Sequence, residues 1–320
     1  MRFNAILAAL AATNLVASHP GEDHSKELEA RRRFLDENVN NLDHCAGKIK
    51  ARGLDYHAAA RRQLLEEKLR AKGGVGLERR YEAGFPQNEF EFQGNSSCVL
   101  SPEETEGPYY VVGERIREDL TDGQKGLPFA YGVQFIDTTT CEPVVGAYID
   151  SWHANSTGVY SGVVARQNGA GEADPANVKK TFGRGIQKTD ENGIASFTSI
   201  FPGHYFGRTI HVHVLVHLNA KPTPDGRLQG SLTPYVGQFY FDQGLISRVE
   251  KNAPYNTNTQ GLTTNDQDRF LQQDLRQGGH PFVEIKETSH GLVGWISFGI
   301  NPKNFHTVTV AQTFHPQPTA

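Results

Sequence analysis

Cysteine is scarce: Cys45, Cys98 and Cys141 are the only three in 320 residues. Three cannot all pair within one chain, and they are too few and too widely spread for a disulfide scaffold or a zinc knuckle. Charge of one sign is not in excess either. The formal net charge of -4 leaves no electrostatic footprint for nucleic acid or for an anionic membrane. No repeat of solenoid or propeller period and no low-complexity tract is found. Long apolar runs are missing apart from Ala5 to Ala17, which is too short to span a bilayer comfortably. With Arg2 ahead of it and the small residues Val16-Ala17-Ser18 behind, that run reads as a secretory signal peptide over residues 1–18. The expectation is a secreted, extracellular protein whose cysteines meet an oxidising compartment.

What is present favours strands and loops. The chain holds 33 Gly, 16 Pro and 11 Tyr, a mix that suits a mainly β, loop-rich globule better than a helical bundle. One region differs. From Ser25 to Lys72 the sequence is rich in Ala, Leu, Glu, Lys and Arg, with Leu28, Leu35, Leu42 and Ile49 seven apart, which predicts helix. Gly53 breaks it and a second helix follows from Asp55, giving a helical hairpin. Its apolar stripe faces the main domain or a second subunit, so a homodimer through the N-terminal helices is one option. Residues 19–82 are therefore a helical extension and linker, in which the dibasic Arg79-Arg80 leaves proteolytic processing open. Residues 83–320 form the main domain. Its β-prone runs, Tyr131–Asp137, Val144–Trp152, Ala195–Ile200, Thr209–His217, Val236–Phe241 and Leu292–Gly299, are spaced as in a β-sandwich. Asp190-Glu191-Asn192-Gly193 and Pro222 to Gly226 supply turn chemistry between runs.

The chemistry centres on Ile210-His211-Val212-His213-Val214. On a strand, residues two apart face one side, so both imidazoles can reach one metal ion. The pattern alone is weak, since cupins, zinc lyases and hydrolases share it. His217 lies on the same face, farther along, and reads as a structural histidine. Just upstream stands Pro202-Gly203-His204-Tyr205-Phe206-Gly207-Arg208, and farther upstream Trp152-His153-Ala154-Asn155 is followed by Gly158-Val159-Tyr160. In this order, together with the Asp-Glu-Asn-Gly turn and the segment Pro102-Glu103-Glu104-Thr105-Glu106-Gly107-Pro108-Tyr109-Tyr110, the chain resembles the intradiol ring-cleavage dioxygenases over roughly residues 98–245.

Carried over residue by residue, the resemblance implies an iron(III) cofactor held by Tyr160, Tyr205, His211 and His213. Phenolate oxygen is a hard anionic donor that suits iron(III), and two neutral imidazoles complete the set. Catalytic roles fall on Arg208, which would stabilise negative charge on the substrate, on Gln238, and on Tyr205. Tyr109 and Tyr110 resemble the substrate-pocket wall, while Trp152 and His153 would orient the Tyr160 turn. The implied activity is cleavage of catechol-type aromatic diols by dioxygen to muconate-type products. Tyr205 and His211 stand only six positions apart, a compact link where many relatives insert a pocket-shaping loop, which leaves the preferred diol open. Two rivals are a cupin-like or zinc-dependent enzyme using His211 and His213, and an inactive sandwich that only binds. Cys98 and Cys141 flank the start of the main domain and are expected to pair, leaving Cys45 free or bonded to another chain. Of the two sequons, at Asn95 and Asn155, glycan is expected on Asn95 only.

Overall fold

A computed structural model describes residues 25–37, 41–72, 97–99, 107–169, 173–231, 235–304, 308 and 310–313. The expected signal peptide, Arg79-Arg80, Asn95 and residues 102–106 lie outside these. Two sheets face each other. The five-stranded sheet runs β1 (Ser97–Val99), β12 (Gly291–Ile300), β3 (Pro128–Asp137), β6 (Ile194–Ile200), with β11 (Glu284–Thr288) also paired to β12. The four-stranded sheet runs β10 (Tyr235–Tyr240), β7 (His211–His217), β4 (Tyr148–Trp152), β5 (Arg184–Lys188). Short ladders join β2 (Val111–Val112) to β13 (Gln312–Thr313), and β8 (Lys221–Pro222) to β9 (Leu228–Gln229) across the turn that Gly226 closes at φ +76°.

Alternation decides which side chains enter the sandwich. Val212, Val214 and Val216 of β7 meet Phe129, Tyr131, Val133 and Phe135 of β3 in one buried cluster, joined by Ile149, Phe197, Phe239 and Ile296. The intervening residues of β7 must then face outward, and there they find a second apolar cluster: Tyr109, Tyr110, Val111, Trp152, Ala154, Tyr160, Val163, Tyr205 and Leu215. The outer face of the four-stranded sheet is thus roofed by the segments around 109, 160 and 205. That roof makes room for a buried polar site outside the main core.

Helices α1 (Ser25–Glu37), α2 (Ala46–Ala51) and α3 (Leu54–Ala71) form the N-terminal arm, with Gly53 at φ +67° separating the last two. The arm packs on the domain rather than folding on itself alone. Leu65 and Leu69 cover Ala130 and Val293, Ala58 meets Trp295, and Arg31 of α1 forms a buried ion pair with Asp274 of α5 (Arg269–Arg276). Helix α4 (Gln243–Val249) is capped by Asp242, whose side chain accepts from the Leu245 N–H.

The cysteine pairing differs from expectation. Cys45 is joined to Cys141, 96 positions away, in place of a Cys98–Cys141 bridge. The reason is packing: Leu42, Leu54 and Ile49 dock the arm on Ile136 at the end of β3, which sets Cys45 against Cys141 in the following turn. Cys98 pairs through its backbone with Phe298 of β12.

Candidate metal centre

Strand β7 sets His211 and His213 side by side on the roofed face, and their Nε2 atoms lie 3.0 Å apart. Tyr205 Oη is 3.3 Å and Tyr160 Oη 3.4 Å from the His211 Nε2. All four side chains are buried, at 1%, 5%, 2% and 2% exposure for Tyr160, Tyr205, His211 and His213. His211 Nδ1 donates to the Thr209 carbonyl at 2.6 Å, which leaves its Nε2 as a bare lone pair aimed into the cluster. His213 is held flat by Trp152, stacked 4.6 Å away at an interplanar angle of 3°. Gly107 also lies against the ring: a Cβ there would be 3.1 Å from His213 Cε1. Trp152 therefore positions a histidine, more directly than the Tyr160 turn assigned to it from sequence.

Charge states follow from burial. Desolvation, then the Arg208 charge, pushes the His211 imidazole down to about 3. His213 is lowered as well, by burial and then by His211. Both rings are neutral, the form in which a ring nitrogen ligates. Burial pushes the Tyr205 phenol up to about 12 although Arg208 opposes it, and Tyr160 is raised by burial and by Tyr205. In a dry site such phenols release protons only to a strong positive charge. Two neutral nitrogens and two phenol oxygens converging on one point fit a hard, highly charged cation such as iron(III). Among the described residues, His, Cys, Asp and Glu group three at a time only at His44, Cys45 and Cys141, two of which form the disulfide.

The two tyrosines are held differently. The Tyr160 backbone is clamped: its N–H donates to Asn168 Oδ1 at 2.7 Å, and its carbonyl accepts from Asn168 Nδ2 at 2.7 Å and Asn177 Nδ2 at 2.8 Å. Asn155 shapes the same turn, with Oδ1 accepting from the Thr157 and Val159 N–H groups and Nδ2 donating to Gln124. Tyr205 opens the tight turn Tyr205-Phe206-Gly207-Arg208, in which a bridge joins Tyr205 to Arg208 and Gly207 takes φ +92°, a conformation open to glycine.

Arg208 is no surface ion pair. Its Nε donates to Asp268 Oδ2 at 2.8 Å, while Nη2 donates to Gln238 Oε1 at 2.6 Å and Tyr240 Oη at 3.0 Å. The guanidinium lies 4.5 Å over the Phe270 ring. Gln238 and Tyr240 reach it because they stand opposite His213 and His211 in the β10–β7 register. Burial opposes the Arg208 charge, but Asp268, Tyr240 and Tyr205 together outweigh it and raise the group. Burial likewise works against the Asp268 carboxylate, and Arg208 together with His211 and the Thr209 and Leu271 N–H groups more than offsets it.

Of the two pocket candidates, Tyr109 stands over the donors, its ring 4.9 Å from Tyr160 and 6.3 Å from Tyr205. Tyr110 turns the other way, packing 5.1 Å from Trp152 and bonding to Asp150. His217 is also outside the donor cluster, 3.6 Å from the buried Asp150. His153 orients locally, donating from Nδ1 to the Ala154 carbonyl with Nε2 2.8 Å from Ser199 Oγ. Sequence reasoning missed Asp268, Tyr240, Thr209, Asn168 and Asn177. Asp268 did carry a signal as the N-cap of α5, but nothing local links it to an arginine 60 positions upstream.

Residues 105–222 match the family model described as Dioxygenase. A stretch of 112 residues is 30% identical to catechol 1,2-dioxygenase 1 of Acinetobacter lwoffii, and covers 33% of this chain and 32% of that relative. The chain thus spans about a third of the curated relative it matches. The solved intradiol ring-cleavage dioxygenase of Tetranychus urticae is 28% identical and superposes with a TM-score of 0.52 over 66% of this chain and 97% of its own. A second solved dioxygenase is 29% identical with a TM-score of 0.50 over the same shares. The class is a sandwich of the dioxygenase type. Over residues 105–222 the chain matches that dioxygenase family model, and its fold is similar to that of a solved intradiol ring-cleavage dioxygenase.

Proposed function

We propose that this chain is a secreted, iron(III)-dependent enzyme that opens catechol-type aromatic diols with dioxygen to muconate-type products. The observation that carries the reading is the convergence of Tyr160, Tyr205, His211 and His213 on one buried point. Iron(III) held there would act as the Lewis acid that makes a bound diol reactive toward dioxygen. The chain's own groups do the rest. His211 and His213 stay neutral, fixed by Thr209 and by Trp152. Tyr205, whose turn has fewer backbone clamps than that of Tyr160, supplies at Oη an acceptor for a substrate hydroxyl proton. Arg208 sets a fixed positive charge beside the donors, where negative charge develops on the diol. Gln238 and Asp268 keep that guanidinium from turning away. Tyr109 offers a ring wall over the same point.

The Cys45–Cys141 bridge supports export into an oxidising compartment. Asn155, with its amide engaged inside the Tyr160 turn, is a poor glycan acceptor, which leaves Asn95. An oxygen electrode with a panel of catechol, hydroxyquinol and substituted catechols tests the activity. Uptake of one dioxygen per diol, with a ring-opened diacid as product, is the expected result. Absence of uptake across the panel by the iron-loaded protein would overturn the reading.

A further inference from the structure

The two candidate tyrosine ligands sit on separate turns, and a third segment locks those turns together. Gln260 Nε2 donates to the Thr157 carbonyl at 3.0 Å and the Gly158 carbonyl at 3.3 Å, three and two positions before Tyr160. The Gln260 backbone carbonyl accepts from His204 Nε2 at 2.9 Å, next to Tyr205. Asn258 Nδ2 donates to the His204 carbonyl at 2.7 Å, and Asn258 Oδ1 accepts from the Gln260 N–H at 3.1 Å. Thr263 Oγ1 receives the Gly207 N–H at 3.0 Å. One loop therefore holds both tyrosine turns by their backbones.

The turns are also in direct contact. A Cβ on Gly158 would fall 2.0 Å from the His204 carbonyl oxygen and 2.4 Å from Gln260 Nε2, and one on Gly203 would fall 2.3 Å from the Ser156 carbonyl. The Gly203 N–H donates to the Asn155 carbonyl at 3.0 Å. With contact this close, a small shift of either turn changes the separation of the Tyr160 and Tyr205 oxygens. Gln260 bridges the two turns, its amide on the Tyr160 turn and its backbone carbonyl on His204, and the loop is anchored nearby where Tyr255 Oη donates to the Phe201 carbonyl at 2.7 Å.

We infer that Gln260 is a positioning residue: it sets the spacing of the Tyr160 and Tyr205 donors and so tunes how strongly they bind a trivalent cation. The inference rests on the proposed metal centre. Groups that orient metal ligands from behind typically carry ten- to a hundredfold in metal affinity. The test uses the full chain stripped of metal and titrated with gallium(III), a redox-silent trivalent ion, with ultraviolet difference absorbance reporting tyrosine ionisation. Gln260→Glu keeps the length of the side chain but loses the donor and sets a carboxylate against two carbonyls. Gln260→Met removes the amide without adding charge, and keeps the test open if the carboxylate disturbs folding.

The expected result is at least tenfold weaker gallium(III) binding in both variants, with a shifted tyrosinate-to-iron absorption band after iron loading and a little-changed melting temperature. A role in packing alone would lower the melting temperature and leave the band where it is. Wild-type-like affinity and band position in Gln260→Met would overturn the inference while leaving the metal centre standing. A wild-type protein that gives no tyrosine ionisation with gallium(III) would overturn the metal centre, and this inference with it.

Discussion

Replacing Asp268 with alanine removes four acceptor bonds at once: those from Arg208 Nε and the Thr209 N–H to Oδ2, and those from the Phe270 and Leu271 N–H groups to Oδ1. Loss of the helix cap alone costs about 1 kcal/mol. Leaving the partner of a buried ion pair without its counter-charge costs about 3–5 kcal/mol. The Arg208 side chain is 13% exposed, so the lower end applies, and because the effects share one residue they do not simply add. A total of about 4 kcal/mol is expected, which at roughly 2–4 °C per kcal/mol for a domain of this size lowers Tm by about 8–16 °C. Asp268→Asn keeps the cap acceptor and loses only the charge, so it should cost about half as much. With Arg208 released, diol cleavage should fall on the order of a hundredfold in either variant, as when one fixed electrostatic stabiliser is lost. Thermal melts and oxygen uptake measure the two effects. If Asp268→Ala melts within about 2 °C of the wild type and keeps its kcat/KM, Gln238 and Tyr240 suffice to hold Arg208 and the assigned role of Asp268 is wrong.

Three further outcomes are expected. Cys45→Ser should cost about 2–4 kcal/mol, because the bridge closes a long loop, and a non-reducing peptide map should join Cys45 to Cys141; a Cys98-linked peptide would contradict this. Tyr205→Phe should keep metal but bind diol poorly and turn over slowly, whereas Tyr160→Phe should impair metal binding itself; metal content and KM separate the two. Asp119, Asp122 and Asp137 are each opposed by burial, yet Lys72 with Thr121, Arg117 with Thr181, and Thr139 with Thr140 respectively hold them below the usual aspartate range. Their stabilisation is complete above the unfolded-state value and is lost as pH falls through the depressed folded-state values. Tm should thus decline below about pH 4, and less steeply in Asp122→Asn; identical acid profiles would refute the assignment.

Much of the sandwich was readable because β3, β6, β7, β10 and β12 each carry apolar residues that the core demands, and β7 alternates valine with histidine. Strand β5 was not. Its Arg184-Gly185-Ile186-Gln187-Lys188 is polar, and it is a strand because β4 pairs with it and because Gly185 leaves space for Leu120. Helix α5 was also missed: its Arg-Phe-Leu-Gln-Gln-Asp-Leu-Arg follows a long polar stretch, and its buried Asp274 is paired with Arg31 of the distant α1. The four donor residues were read from motif order. Arg208, Gln238 and Tyr109 came from the same motifs, but Asp268, Asn168, Asn177 and Gln260 did not, because they act through hydrogen bonds to backbone or to one guanidinium across gaps that tie them to no motif. The cysteine pairing failed for a related reason. Position at the start of the main domain favoured Cys98, but docking of the helical arm decided the matter for Cys45.

The central claim is that Tyr160, Tyr205, His211 and His213 together hold one iron(III) ion. Metal analysis combined with visible absorption of the purified protein tests it most directly. The account predicts about one iron per chain and a red to purple tyrosinate charge-transfer band, weakened by either tyrosine-to-phenylalanine change and abolished by both. A colourless zinc protein, or a band that survives the double change, would contradict it.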